Sequence, residues 1–305
     1  MDPIYFDQHY RRTPELWQDM VLNLCRGKGL PSGDFQPFLA GSNLIAAVGG
    51  SHVIKIFPQW LRHQWESDTL ILRHLEGRLR VPTPRCLDAG DLDKDWKYIV
   101  MDKLPGEMLE DYWPAMTKAN KAGVMNAIGR LMAEVKELPV DGLEGLQPEW
   151  SGFIKAQLEH YQMRHQKHGM PAWFMNQVED YVNHRLHLLP KSFRPILLTG
   201  EYTPFNLLAE QQDGEVRISG MIDFGDAMVG YADYDLLGPS LFLGEGSRDL
   251  IAQLFEGYGT KVPRPLLMLL QILHRYSDFK AQLRIPDWEV QVQSIEELEE
   301  LIWPI

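Results

Sequence analysis

The 305-residue chain has only two cysteines, Cys25 and Cys86. That is too few for a disulfide framework, so a reducing, cytoplasmic setting with incidental thiols is expected. No apolar run approaches the roughly 18 residues that cross a bilayer. Residues 266–273 come nearest, are interrupted by Gln271 and read as a core helix. The opening MDPIYFDQHY lacks a basic stretch followed by an apolar one, so no secretory signal and no membrane partner are expected. Cationic residues are in deficit: 30 Lys and Arg stand against 42 Asp and Glu, a formal net charge of −12. This argues against nucleic acid as a partner, because phosphate neutralisation needs a basic face. It suits a basic small molecule better. The ten histidines form no metal-type cluster. The pairs His165/His168 and His184/His187 lie on helical stretches without Cys or carboxylate partners in ligand spacing, and read as packed or solvated. Repeats and low-complexity segments are absent as well.

What is present is an ordinary globular composition, 45% hydrophobic and 24% charged. The length suits two lobes. Residues 3–25 read as a helical opening, followed by short Val- and Ile-rich β-like runs. After about residue 105 helical patterns dominate, over 114–138, 152–168, 172–189, 233–243, 247–258, 264–283 and 294–302, interrupted by a second β-like region at 195–223. The expected fold class is therefore α+β and bilobal, with a small β-rich lobe over 1–104 and a mostly helical lobe over 105–305. Leu104-Pro105-Gly106 forms the joint, since Pro and Gly punctuate there.

In FLAGSNLIAAVGGSHVIKIF (38–57), Gly49-Gly50 separates two β-like runs. A two-residue turn there places Lys55 opposite Leu44 and puts Ser42 on its face. Gly41-Ser42-Asn43 is a small-residue bend whose backbone N–H groups, beside an ammonium, could cradle a phosphate. A helix follows from about Gln59 to Leu75, with the apolar stripe Leu61, Trp65, Leu72, Leu75. Asp68 falls on that stripe, and a carboxylate facing inward wants a cation. Lys55 is a candidate partner. Glu66, on the flank with a longer reach, is a rival, and both acids could instead pair with Arg62 or Arg73 on the surface.

Asp213-Gly214 is a type I′ hairpin signal between two further β-like runs. Such a hairpin sets Asn206 and Asp223 diagonally across one face, about 7–8 Å apart at the backbone. An amide oxygen and a carboxylate converging from that distance suit one Mg²⁺, which prefers oxygen ligands. Glu201, five residues before Asn206 on a loop after an Ile-Leu-Leu strand, can approach the same place.

These stretches, in this order, resemble the aminoglycoside phosphotransferase and choline kinase family, the small-molecule branch of the protein-kinase fold, over nearly the whole chain. Gly41-Ser42-Asn43 is similar to the nucleotide-binding loop and Val53-Ile54-Lys55 to the strand with the phosphate-binding lysine. Asp68, followed by apolar residues four and seven positions on, matches the acid of the next helix, although the family typically uses Glu. Residues 98–106 are similar to the last strand and hinge, which implies that backbone groups near Asp102 and Leu104 hold the adenine. Ile222-Asp223-Phe224-Gly225 is similar to the metal-binding Asp motif, and Gly230 with Tyr234-Asp235-Leu236 to the structural segment after it. The family's His-Gly-Asp, four residues, Asn appears here as Thr199-Gly200-Glu201, four residues, Asn206. Val135-Lys136 also stands where Leu-His is common. Within the family the chain is most similar to hygromycin-type phosphotransferases, including the acidic, Trp-containing end Ile295 to Trp303.

The resemblance implies an ATP-dependent kinase, with GTP as a second possible donor, that acts on a small-molecule hydroxyl. Lys55 would bind the α/β-phosphates, Asp68 or Glu66 would hold Lys55, Asn206 and Asp223 would bind Mg²⁺, and Glu201 would accept or orient the acceptor's hydroxyl proton. A basic molecule is the leading choice of acceptor. The departures at Thr199 and Glu201 leave a second reading, a catalytically silent kinase fold that binds nucleotide or ligand.

Overall fold

Five antiparallel strands, β1 (Gln36–Phe38), β2 (Leu44–Val48), β3 (His52–Phe57), β4 (Cys86–Asp91) and β5 (Lys97–Asp102), form one sheet in the order β1-β2-β3-β5-β4. Alternation along them explains its two faces. Leu44, Ala46 and Val48 of β2, Ile54 and Ile56 of β3, and Tyr98 and Val100 of β5 pack in one buried cluster with Phe6, Trp17, Val21 and Leu24 of the N-terminal segment. Lys55 and Phe57 take the other parity, on the side of the helix Arg62–Leu75. The computed structural model describes residues 1–200 and 202–305. They divide into two units, Met1–Pro105 with Gly220–Asp226, and Gly106–Ser219 with Ala227–Ile305.

Two expectations for the first unit need correction. The continuous opening helix is broken into Pro3–Tyr5, Phe6–Tyr10, Pro14–Leu16 and Gln18–Gly27, because Pro14 cannot continue a helix and begins its own short turn. The β2–β3 register is also shifted by one residue. Lys55 lies opposite Ile45, not Leu44, and Leu44 opposite Ile56. Val48 pairs with His52, so the connection is Gly49-Gly50-Ser51, three residues long. Gly49 is at φ +59°, and a Cβ there would stand 2.3 Å from Pro31 Cβ, so glycine is required on both counts. The shift matters because a one-residue slip exchanges faces: residues of odd number in β2, not Ser42, share the side of Lys55.

Strands β6 (Glu107–Met108), β8 (Leu207–Gln212) and β9 (Glu215–Met221, of the second unit as far as Ser219) form a three-stranded sheet, while β7 (Ile196–Leu198) pairs with β10 (Met228–Gly230). The β8–β9 connection is Asp213-Gly214, both with positive φ, as a type I′ turn demands. Helices Lys118–Lys136 and Arg248–Tyr258 approach so closely that a Cβ on Gly129 would lie 2.2 Å from Leu254 O, and one on Gly257 2.2 Å from Asn126 O. The expected helix over 264–283 ends at Ile272. A separate turn, Phe279–Gln282, starts at Asp278, whose carboxylate caps Ala281 N at 3.2 Å. Near the C-terminus Ile295, Leu298 and Ile302 are buried as the pattern predicts, but Glu299 departs from a solvated face. It is buried and accepts a hydrogen bond from Tyr181 Oη. Among the described residues no helix is long and apolar enough to cross a membrane.

Candidate functional site

Lys55 is the centre of an ion triad within the first unit. Its Nζ lies 2.6 Å from Asp68 Oδ2 and 2.8 Å from Asp223 Oδ1. The side chains of Lys55 and Asp68 are 5% and 2% exposed, whereas that of Asp223 is 42% exposed. Strand β3 fixes the lysine, the helix Arg62–Leu75 fixes Asp68, and the segment after β9 fixes Asp223. That segment is tied to the first unit by Met221 N donating to Pro82 O at 3.0 Å. Asp68 uses both oxygens, since Oδ1 accepts from Phe224 N at 3.1 Å, and Ser67 Oγ donates to Phe224 O at 3.0 Å. The Asp223-Phe224-Gly225 turn is thus held by two adjacent helix residues. Asp223 sits at φ +65°, a left-handed conformation that Asp tolerates better than most residues and that is common at functional sites.

The charges follow from this placement. Burial works against the Lys55 ammonium, but Asp223 and Asp68 outweigh it and its pKa is raised. Burial raises the Asp68 carboxyl despite the ammonium beside it. Burial also opposes ionisation of Asp223, and there Lys55 prevails and lowers the pKa. One cation shared by two carboxylates separates their affinities for protons. Glu66 takes no part: it lies on the exposed side of the helix and pairs with Arg62 at 2.9 Å.

The Gly41-Ser42-Asn43 bend precedes β2, with Gly41 at φ +86°. Ser42 Oγ donates to Gln64 Oε1 at 3.2 Å, and Asn43 Nδ2 approaches the same oxygen at 3.4 Å. Asn43 is buried and its Oδ1 has no hydrogen-bond partner among the described residues. Asp102 ends β5, where its side chain accepts from Arg85 N at 2.6 Å and Arg85 Nε at 2.9 Å. Its side chain is therefore committed to Arg85. Leu104 is half-buried just beyond, next to Lys103, whose N donates to Ser51 O at 2.9 Å.

In the second unit, Asn206 is half-buried at the turn before β8, its N–H donating to Thr203 O at 3.1 Å. Glu201 lies outside the described residues. Thr199, at the end of β7, is buried, and its N–H donates to Asp235 Oδ2 at 3.0 Å. Asp235 Oδ1 and Thr203 Oγ1 are buried with no hydrogen-bond partner among the described residues. Both residues border a cavity of about 10 Å³ that Gly200 and His274 also line. Burial pushes the Asp235 carboxyl up to about 7.

Gln64 and Asp235 were missed as site residues by the sequence reading. Gln64, Asp68, Ile71 and Leu75 are the buried line of their helix, at spacings of four, three and four. The stripe through Leu61 and Trp65 is rotated from this line, because Trp65 is only half-buried and sends its Nε1 to Tyr98 O at 2.9 Å. A polar residue one turn before an inward acid was the available signal. For Asp235 it was a carboxylate inside the apolar run Tyr-Asp-Leu-Leu.

A model of the phosphotransferase enzyme family matches residues 9–269. In structure the chain is similar to the GDP complex of wild-type aminoglycoside 2′-phosphotransferase IIIa, at 18% identity over 93% of this chain and 97% of that one, with a TM-score of 0.68. It is also similar to a thermostable variant of aminoglycoside phosphotransferase APH(4)-Ia in ternary complex with ADP and hygromycin B, at 17% identity over 92% and 95% of the two chains and a TM-score of 0.59. A third likeness is to APH(3″)-Id from Streptomyces rimosus, at 14% identity, 84% and 96% coverage and a TM-score of 0.61. These three likenesses show the fold, and the hygromycin-type relative is among them.

Proposed function

The chain belongs to the phosphotransferase enzyme family, and from that premise we propose that it transfers the γ-phosphate of ATP to a hydroxyl of a basic, aminoglycoside-like small molecule. The observation that carries this reading is the Lys55–Asp68–Asp223 triad. A buried ammonium held by one inward carboxylate, beside a second carboxylate open to solvent, is what phosphate positioning next to a cation requires.

In this reading Lys55 binds the α/β-phosphates and Asp68 keeps its ammonium charged and aimed. The Gly41-Ser42-Asn43 bend lays its backbone N–H groups along the phosphates. Backbone groups near Asp102 and Leu104 hold the base. Residues 1–104 then act as the nucleotide lobe and 105–305 as the lobe of the catalytic loop and acceptor. Glu201 accepts or orients the acceptor's hydroxyl proton, and a Glu is competent because its ordinary pKa of about 4.3 is close to the value of about 3.9 for Asp. GTP is a reasonable second donor, given a relative solved with GDP.

The donor types suit magnesium. Asp223 presents a carboxylate of lowered pKa with substantial exposure, and in this reading Asn206 would add an amide oxygen, both hard ligands. When bound there, Mg²⁺ would neutralise phosphate charge. The net charge of −12 and a relative solved with hygromycin B support a basic acceptor. Two free cysteines and the use of nucleoside triphosphate support action in the cytoplasm.

The test is nucleotide binding by calorimetry. ATP with Mg²⁺ should bind the wild type, and Lys55→Ala should weaken binding at least tenfold. Equal binding by both proteins would remove the triad from the nucleotide site.

A further inference from the structure

Gln64 belongs to none of the motifs above, yet it touches two of them and shares a helix with a third. It lies one turn before Asp68 on the helix Arg62–Leu75 and is buried. Its Oε1 faces both side-chain donors of the bend, Ser42 Oγ at 3.2 Å and Asn43 Nδ2 at 3.4 Å. Its aliphatic stem packs on the turn after Asp223: a Cβ placed on Gly225 would lie 3.2 Å from Gln64 Cβ and 3.4 Å from its Cγ. Any Cβ at 225 would therefore crowd that stem.

We propose that Gln64 is a positioning residue for nucleotide phosphates, locking the Gly41-Ser42-Asn43 bend to the helix that carries the acid partner of Lys55. The chemistry follows from the donor inventory. A glutamine oxygen with two lone pairs can accept from a hydroxyl and an amide together. An apolar side chain of the same length would leave both donors without this acceptor, next to a backbone of small residues with little intrinsic preference for one conformation. Because Asp68 sits four residues on, the bend and the ammonium of Lys55 keep one spacing. A run of phosphates must contact both, whereas a base and ribose alone need neither.

The inference rests on the nucleotide reading above, and its test separates the two. Hydrogen exchange, measured without nucleotide, compares wild type with Gln64→Met over peptides spanning the bend. The account expects faster exchange there in the variant, with the helix core unchanged. Calorimetry then compares adenosine with ADP and ATP. Gln64→Met should weaken ADP and ATP roughly 5- to 20-fold, the range for one or two lost hydrogen bonds. Adenosine affinity should be unchanged, and Gln64→Glu, which keeps the acceptor oxygen, should restore slow exchange in the bend. Unchanged exchange in Gln64→Met overturns the proposal, and so does an equal loss for adenosine and ATP. If the wild type binds no nucleotide, the nucleotide reading fails and the exchange result alone decides whether Gln64 holds the bend.

Discussion

The ammonium of Lys55 lies 2.8 Å from Asp223 Oδ1, a contact between residues 168 positions apart in the chain. The same ammonium is 2.6 Å from Asp68, so a strand, a helix and a turn meet at one charge. Each of the three depends on it differently. Asp68 is enclosed, and Lys55 is its one cationic partner among the described residues, whereas Asp223 also faces solvent.

That asymmetry predicts the outcome of removing the lysine. Lys55→Met leaves a buried carboxylate uncompensated and should lower folding stability by about 3–5 kcal/mol. The double variant Lys55→Met/Asp68→Asn should recover much of this loss, since the charge to be buried is gone, without recovering nucleotide binding. Urea unfolding of the single and double variants measures the coupling. Additive losses would contradict a direct pair.

The two acids of the helix should behave unlike each other. Glu66 pairs with Arg62 on the surface, both side chains more than half exposed. Glu66→Gln should change stability by less than about 0.5 kcal/mol and leave nucleotide affinity intact. Asp68→Asn should weaken ATP binding by roughly tenfold or more, the order expected when one charge-assisted contact to Lys55 is lost. Parallel titrations of both variants decide this, and a comparable loss for Glu66→Gln would reinstate it as a partner.

Much of this site was legible in the sequence because its motifs are local. Asp213-Gly214 fixes its turn by backbone chirality, and Asp68 betrayed itself as a charge on an inward face. The β2–β3 register was not legible, because Gly49-Gly50 reads as a complete turn, whereas the strands pair so that Ser51 joins it. Gln64 was hidden for a related reason. The helix is rotated by the hydrogen bond of Trp65 to Tyr98, a partner 33 residues away that no local periodicity encodes. Glu299 looked solvated because its partner, Tyr181, lies 118 residues off.

Asp235 predicts a pH dependence. Burial raises its carboxyl to about 7, above the ordinary value of about 3.9. The folded chain therefore keeps this proton over a window in which the unfolded chain has lost it, and stability falls as pH rises from about 4 to about 7. Asp235→Asn removes the titration. Its stability relative to wild type should grow by up to about 1.4 kcal/mol per pH unit across that window and level off above it. Unfolding curves for both proteins at several pH values between about 5 and 8 check the slope. A constant difference would show that Asp235 stays ionised when folded.

The helix crossing at Gly129 predicts a purely structural effect. A methyl group there meets the carbonyl oxygen of Leu254 at 2.2 Å, backbone that cannot rotate aside. Gly129→Ala should cost about 1–3 kcal/mol despite its better helix propensity, while nucleotide affinity at low temperature is retained. A thermal melt with a parallel titration distinguishes this from damage at the site.

Transfer of radiolabelled γ-phosphate from Mg-ATP to a panel of aminoglycosides, choline-like amines, sugars and nucleosides tests the central claim most directly. The account predicts labelled product with at least one hydroxyl-bearing acceptor for the wild type, and none with Asp223→Ala. Tight nucleotide binding with no product from any acceptor, in the wild type and in a Glu201→Asp variant alike, would contradict it and show a kinase fold that binds without transfer.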